Sequence, residues 1–415
     1  MVGIGGIGMS ALAQYLLHTG HTVTGEDRDA SPTTDLLEKK GIDVAVGHTE
    51  HFDAGLLIYS DAIPESHPTR MYAASANIAQ LSYFEALGEV SKKSRTIAVA
   101  GTHGKTTTTG MLAKILRDAG KEPTAVVGSI VRDFESNFLP GSPELFVVEA
   151  CEYRDHLLKL SPKILVITNM ELDHTDYFPT IEALQETFRS AVKAVPHDGA
   201  IITDPNDPVI ANVLDAAIAT VIDYTEISVP KLNQIGEFNK MNARAAKAAA
   251  FVAFPDLAEA VIDEALATFR GSWRRFEYRG ETPRGAAVYD DYAHHPTAMD
   301  KTIAAAREKF PGKRIVVAFH PHLYSRTKSF FEAFAETLAR ADTAYVAPIY
   351  AAREEPDPMI SSELLAERAS EIGGNVTALA SFDLIREKLL EQDENSIIIT
   401  MGAGDIYKVA EQIAD

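Results

Sequence analysis

Residues 95–110 read RTIAVAGTHGKTTTTG: an apolar run, two glycines, a lysine and a string of threonines. The chemistry that needs these types in this order is the grip on a triphosphate. Gly101 and Gly104 let the backbone approach closely, so that N–H groups at a helix start point at phosphate oxygens. Lys105 supplies a point charge to the outer phosphates, and Thr106 a hydroxyl to Mg2+. Val99 stands where the usual phosphate-loop pattern has its first glycine, so the motif is a shortened one. The bland alternative is an ordinary strand-to-helix turn that happens to carry a lysine.

Other polar residues follow apolar runs further along. Glu149 and Glu152 come after LFVVEA, and Asn169, Asp173 and His174 lie in TNMELDHTDYF. Carboxylates and an imidazole facing a phosphate loop suit a divalent metal. Asn239 and Asn242, three apart in GEFNKMNARAAKAAA, share a helix face where amides read an adenine edge, or serve as caps. Arg274 and Arg275 reach a phosphate or are simply solvated. His294, His295, His320 and His322 cluster without the HExxH spacing of a helical zinc protease. Cys151 is the only cysteine, which excludes an internal disulfide and a cysteine-based zinc site. It reads as a small buried hydrophobe.

These residues need strands that end at one edge of a sheet, where open α/β folds bind ligands. Alternating β and α patterns recur in three blocks, 1–94, 95–270 and 271–415, and predict an α/β chain of three domains. Strands are expected at Leu145 to Ala150, Lys163 to Asn169 and Gly199 to Asp204, then in VYDDY, IVVAF, DTAYVAP and SIIITM. The first block opens MVGIGGIGMS, where Gly3, Gly5 and Gly8 form GxGxxG before a helix, and Glu26 and Asp27 close the next strand. Alone, that pattern is a dinucleotide fingerprint and predicts a nicotinamide or flavin enzyme. The same turn accommodates any pyrophosphate, including that of a UDP-sugar. Only Met1 and Val2 precede Gly3, where a strand has about 5–6 residues, so the first strand is expected to be clipped or to begin upstream.

At 415 residues the chain exceeds one core, which implies two or three domains. The composition, 46% hydrophobic and 24% charged, is that of a globular protein. No run of about 18 apolar residues and no signal-peptide pattern is present, so a cytoplasmic protein with no membrane partner is expected. A net charge of −20 argues against a nucleic-acid surface. An anionic substrate must then find local cations.

The order GIGGIGMS, GTHGKTTTT, VVEA, ITNxxxDH, FNxxNAxAA, RRFE, DDYAHHPT, FxPHxYSRT and GAGDIYKV resembles the Mur ligases, the amide-forming enzymes of peptidoglycan precursor synthesis, across nearly the whole chain. The HPHLYSRT stretch points to their alanine-adding branch. The resemblance implies an N-terminal Rossmann-like UDP-binding domain, a central P-loop ATPase domain and a C-terminal Rossmann-like domain that closes over them. It implies UDP-N-acetylmuramate and L-alanine as substrates, ATP and Mg2+ (with Mn2+ able to replace it) as cofactors, and a monomer or homodimer. By similarity Gly5, Gly6, Gly8 and Ser60 line the UDP diphosphate, and His103 faces the sugar substrate. Gly101, Thr102, Gly104, Lys105, Thr106 and Thr107 hold ATP, Thr106 and Glu149 one Mg2+, and His174 a second metal. Asn239 and Asn242 meet adenine, and Arg274 and Asp291 the ribose or phosphates. Tyr292, His294, His322 and Arg326 surround the incoming alanine.

Two departures stand out. Phe238 replaces the usual histidine of the adenine motif, and Leu323 stands where relatives often place arginine. The implied mechanism is acyl-phosphate formation assisted by Lys105 and metal, then attack by a neutral amine with His294 or His174 as base. Three other readings remain open at this point: a ligase attaching a recycled tripeptide, a nicotinamide-dependent oxidoreductase suggested by GIGGIG alone, and a non-enzymatic nucleotide sensor.

Overall fold

The structure is a computed structural model that describes residues 1–49, 51–352 and 354–414. By packing, the chain divides into two compact units. The first comprises Met1–Glu171, Glu182–Lys231 and Met241–Arg270; the second comprises Leu172–Ile181, Leu232–Lys240 and Gly271–Asp415.

The first unit is organised by a seven-stranded sheet in the order Thr220–Asp223, Ala200–Thr203, Ile164–Ile167, Arg95–Ala100, Ser142–Glu149, Pro123–Val131, Ser136–Leu139. Neighbours run parallel except the last pair, an antiparallel hairpin. Its central strands are continuous apolar runs rather than alternating ones, because helices cover both faces of a parallel sheet. All of Ile164–Ile167, and all of Arg95–Ala100 beyond the arginine, are buried. Arg95–Ala100 lies between Ser142–Glu149 and Ile164–Ile167, the point at which the strand order reverses direction. That is where such a sheet opens a crevice at the carboxyl ends of its strands. Gly101–Gly104, Glu149 and Thr168–Asn169 all occupy those ends.

At the N-terminus, Thr24–Asp27 pairs with Asp43–Val46 and Leu56–Tyr59 with Ala79–Ser82, both parallel. Val2 bridges Glu26 on one side and Tyr59 on the other, a one-residue contact where the sequence led us to expect a short first strand. Helix Ile7–His18 follows the glycine turn and is tied to the hairpin by a buried amide network. Asn137 donates to the Ile7 carbonyl (2.5 Å) and Ser10 Oγ (2.8 Å), and accepts from Gln14 Nε2 (2.9 Å). Ser136 Oγ closes the set on Gln14 Oε1 at 3.0 Å.

The second unit has a six-stranded sheet in the order Glu277–Glu281, Ala287–Asp291, Ser396–Met401, Arg314–Phe319, Thr343–Val346, Val376–Ala378. Only the first pair is antiparallel. One face packs a core of Ile303, Phe319, Phe334, Leu338 and Leu365, and the other a core of Ile385, Leu389, Ile398 and Val409. The carboxyl ends of its parallel strands lead into Tyr292–His295, His320–Arg326 and Gly402–Gly404. No helix among the described residues is long and apolar enough to cross a membrane.

The Asn137 network generates a stability prediction. Asn137→Leu keeps the volume but removes every bond of the amide, and each buried group left unsatisfied costs about 1–3 kcal/mol. A lower urea midpoint at constant m is expected; an unchanged midpoint would show that the network contributes nothing net.

Candidate functional site

In the first unit the loop after strand Arg95–Ala100 takes left-handed backbone at both glycines, φ 123° at Gly101 and 82° at Gly104. Space is as restrictive as conformation. A Cβ on Gly101 would lie 2.2 Å from Thr168 Oγ1, and one on Gly104 would lie 2.2 Å from Asn242 Oδ1. The loop is laced to the neighbouring strand end: Asn169 accepts from His103 N (2.9 Å) and donates to His103 O (2.9 Å), while Thr102 Oγ1 donates to Glu171 O (2.8 Å). The His103 imidazole stands 3.5 Å from the Glu171 carboxylate.

Helix Lys105–Asp118 begins directly at the lysine. The Lys105 ammonium donates to Gly101 O (2.5 Å), Thr102 O (3.1 Å) and both oxygens of Glu152 (3.1 and 3.0 Å). Glu152 is 2% exposed. Burial, the largest single effect, works against the ammonium, but the Glu152 carboxylate together with Cys151 and Glu149 outweighs it and the lysine titrates above its ordinary value. Next to it, Thr106 Oγ1 donates to Glu149 Oε1 at 3.0 Å, and Glu149 Oε2 accepts from Gly128 N at 2.7 Å. Gly128 must lack a side chain, because a Cβ there would sit 2.5 Å from that carboxylate. Hydroxyl, carboxylate and N–H donors at a helix start form the oxygen-rich, anion-seeking set that Mg2+ and phosphate require. Thr107 is buried in the same turn. Burial, then the Glu152 carboxylate, pushes the Cys151 thiol up to about 12, so it is not a nucleophile at neutral pH.

The glycine turn at the N-terminus is closed by side chains. Gly5 N donates to Asp27 Oδ2 at 2.8 Å, Gly6 N to Gly3 O at 3.2 Å, and Thr33 donates to Gly5 O. Gly8 is glycine because a Cβ would lie 2.6 Å from the ring of Tyr83. Ser60 adjoins the turn, its Cβ 3.0 Å from where a Gly3 Cβ would stand.

The second unit gathers Tyr292, His294, His322 and Arg326 with Asp173 and His174. His294 Nδ1 bonds the Tyr292 carbonyl at 2.9 Å. A carbonyl only accepts, so Nδ1 carries the proton and Nε2 the lone pair. Burial first, then the Arg326 guanidinium, hold this imidazole well below its usual range, so it is neutral at pH 7. Its ring is 5.2 Å from Tyr292 and 6.4 Å from His322. Arg326 donates from Nε (3.0 Å) and Nη2 (2.8 Å) to Asp173 Oδ1, and from Nη1 to His322 Nδ1 (3.1 Å). Burial, the largest single effect, would raise Asp173, but Arg326 together with His174, His294 and His295 outweighs it and holds the carboxyl far below the carboxylate range. His174 follows with φ 52°, its N–H bonded to the same Oδ1 at 2.6 Å.

Other residues singled out from sequence are turned to internal work. Arg274 is 3% exposed and donates to Asp290 (2.7 Å), Gly404 O (3.0 Å) and Gly402 O (2.6 Å). Asp291 accepts from Phe276 N (2.8 Å) and Ala293 N (2.7 Å), and burial pushes it up to about 6. Asn239 donates to Ile235 O at 2.8 Å. Phe238 folds back onto Gly236, whose Cβ would lie 2.5 Å from its ring. Leu323 is buried with φ 70°.

Comparison with known proteins adds a lineage to this geometry. Three family models match successive stretches: the Mur ligase family catalytic domain over residues 1–95, the Mur ligase middle domain over 99–229, and the Mur ligase glutamate ligase domain over 274–404. The chain belongs to the Mur ligase family. It is 37% identical to a UDP-N-acetylmuramate–L-alanine ligase of Clostridium novyi, with 100% of this chain and 96% of that protein covered. A protein of the same description from Caldicellulosiruptor saccharolyticus is 36% identical over 100% of this chain and 98% of its own. Among solved structures, the UDP-N-acetylmuramate–alanine ligase of Thermotoga maritima superposes with a TM-score of 0.83 at 27% identity, covering 99% of this chain and 97% of that one.

From the sequence Glu152 and Asp173 read only as carboxylates suited to a divalent metal, and Asn169 has no role of its own; the structure of this Mur ligase pairs Glu152 with Lys105, Asp173 with Arg326 and Asn169 with the His103 backbone. The available signal was that Glu152 and Asp173 lie close in sequence to the chosen Glu149 and His174. Gly128 and Tyr83 left no signal, because their partners are remote in sequence.

The neutral His294 yields a linkage prediction. The unfolded chain takes up a proton near pH 6.5 that the folded imidazole refuses, so stability from this group is present above that pH and is lost as pH falls below it. His294→Gln should therefore show a smaller drop in urea midpoint between pH 7.5 and 5.5 than the unmodified chain. Equal slopes would remove the assignment of a buried neutral base.

Proposed function

We propose that this Mur ligase joins L-alanine to the lactyl carboxylate of UDP-N-acetylmuramate at the expense of ATP, a cytoplasmic step of peptidoglycan precursor synthesis. The observation that carries the reading is the second unit's pairing of a buried guanidinium, Arg326, with a neutral imidazole, His294, whose Nε2 holds a lone pair. An amino acid offers a carboxylate for the first and an ammonium proton for the second. Full-length similarity to alanine-adding relatives supports the same choice.

Lys105 holds the outer phosphates and offsets charge as the γ-phosphoryl group leaves, with Gly101, Thr102, Gly104 and Thr107 shaping the loop around them. Thr106 and Glu149 would hold one Mg2+ and His174 a second; bound there, the cation neutralises phosphate charge, and Mn2+ would serve in its place. The muramyl carboxylate attacks the γ-phosphorus and becomes an acyl phosphate. His294 Nε2 then accepts a proton from the alanine ammonium. The freed amine attacks the acyl carbon, and phosphate departs. Gly5, Gly6, Gly8, Ser60 and His103 are assigned to the nucleotide sugar, and Asn239 and Asn242 to adenine. Arg274 and Asp291, bonded internally, act on the nucleotide by fixing the strand-end loops.

ADP release with UDP-N-acetylmuramate and each amine in turn tests the reading. L-alanine should support turnover, while L-alanyl-γ-D-glutamyl-meso-diaminopimelate should not; the reverse pattern would transfer the chain to the tripeptide-attaching type. Lys105→Ala should reduce kcat by about 100-fold or more, the scale of losing a positioned charge at developing anionic oxygens, with affinity for the UDP-sugar nearly unchanged. Arg326→Lys keeps the charge but loses the planar fork, and should raise KM for L-alanine by about 10-fold. An unaltered KM would remove Arg326 from the amino-acid site.

A further inference from the structure

Arg326 carries five N–H groups, and its bonds to Asp173 and His322 use three of them. Nε–H and one Nη2–H close on a single oxygen of Asp173, which occupies the side edge of the guanidinium. One Nη1–H goes to His322 Nδ1, which must accept because arginine has no acceptor. Among the described residues one N–H on Nη1 and one on Nη2 remain, enough for the two oxygens of a carboxylate. The same Asp173 oxygen also takes the N–H of His174, a residue held at φ 52°, where non-glycine residues are uncommon. Asp173 is 6% exposed, and Arg326 4%.

We propose that Asp173 is a positioning residue for the ligation: it turns the remaining N–H groups of Arg326 toward the amino-acid carboxylate and fixes the backbone of His174 through the same oxygen. This rests on the functional reading given above. Two consequences separate the roles. Asn at this position keeps an oxygen for the His174 N–H but loses the charge that aligns Arg326. Ala removes both.

The test measures KM for L-alanine, ATP and UDP-N-acetylmuramate, the Mg2+ concentration at half-maximal rate, and the melting profile, for the unmodified chain, Asp173→Asn and Asp173→Ala. Asp173→Asn is expected to raise KM for L-alanine by about 10-fold, with KM for ATP and the Mg2+ requirement within about twofold. Asp173→Ala should raise the Mg2+ requirement as well. If Asp173→Ala does not fold, the Asn variant decides alone. KM for L-alanine unchanged in Asp173→Asn, or kcat and all three KM values altered together, would overturn the proposal. An unmodified chain that releases no ADP with L-alanine would instead sink the functional reading, and this proposal with it.

Discussion

A cation that must meet an anionic ligand cannot wait for it unpaired inside a protein, and this constraint organises both units. Desolvating an ammonium or guanidinium costs several kcal/mol even after relaxation, and removing one partner of a buried pair is strongly destabilising. Lys105, Arg326 and Arg274 each meet the requirement with a carboxylate of their own: Glu152, Asp173 and Asp290. The three pairs differ in what they leave over. Arg274 spends Nε, Nη1 and Nη2 on protein acceptors and works as a strut between strand ends. Arg326 retains one N–H on each of Nη1 and Nη2 among the described residues. Lys105 holds two backbone carbonyls and both oxygens of Glu152, a stand-in for the phosphate oxygens that the proposed reaction brings.

That difference explains which parts of the site could be read from the chain. GTHGKTTTT, the strand before it and the helix after it are local, so the loop's place at a strand end was legible. The apolar runs 145–150, 163–169, 199–204 and 396–401 likewise announced strands, because parallel strands buried on both faces are continuous apolar segments. The hairpin Pro123–Val131 with Ser136–Leu139 was not read, and neither were the edge strands Thr220–Asp223, Glu277–Glu281 and Val376–Ala378. The three edge strands are short, and what marks them is pairing with a remote neighbour. Side-chain direction was equally hidden. RRFE and DDYAHHPT identify Arg274 and Asp291 as notable, but nothing in their spacing says that one spans to Gly402 and Gly404 while the other caps its own loop.

The carboxylates at strand ends carry the same lesson in energetic terms. Asp173 and Asp291 are both buried, yet one is held far below its ordinary range and the other is pushed up to about 6. Burial acts on both in the same direction. A guanidinium bonded through two N–H groups, with His174, His294 and His295 beside it, reverses it at Asp173, whereas two neutral N–H donors and the neighbouring Arg275 do not reverse it at Asp291. An anion at pH 7 is therefore secure beside Arg326, which is what a positioning charge needs. Asp291 changes protonation within reach of neutral pH, and its two N–H donors suit the charged form.

Glycine patterns specify backbone shape before they specify a ligand, and the N-terminal turn shows how the two separate. In a dinucleotide enzyme the acidic residue ending the second strand reads a ribose hydroxyl. Here the Asp27 carboxylate turns inward and accepts the Gly5 N–H. Gly8 is required by the ring of Tyr83 rather than by open space in front of the helix. The GxGxxG spacing thus answers to the ring of Tyr83 and to an Asp27 carboxylate already engaged by the turn's own N–H, and the pattern loses its force as evidence for an oxidoreductase. The shortened loop at Gly101–Thr107 keeps its force, since Lys105, Thr106 and Glu149 form a charged and oxygen-rich set that sheet packing alone has no use for.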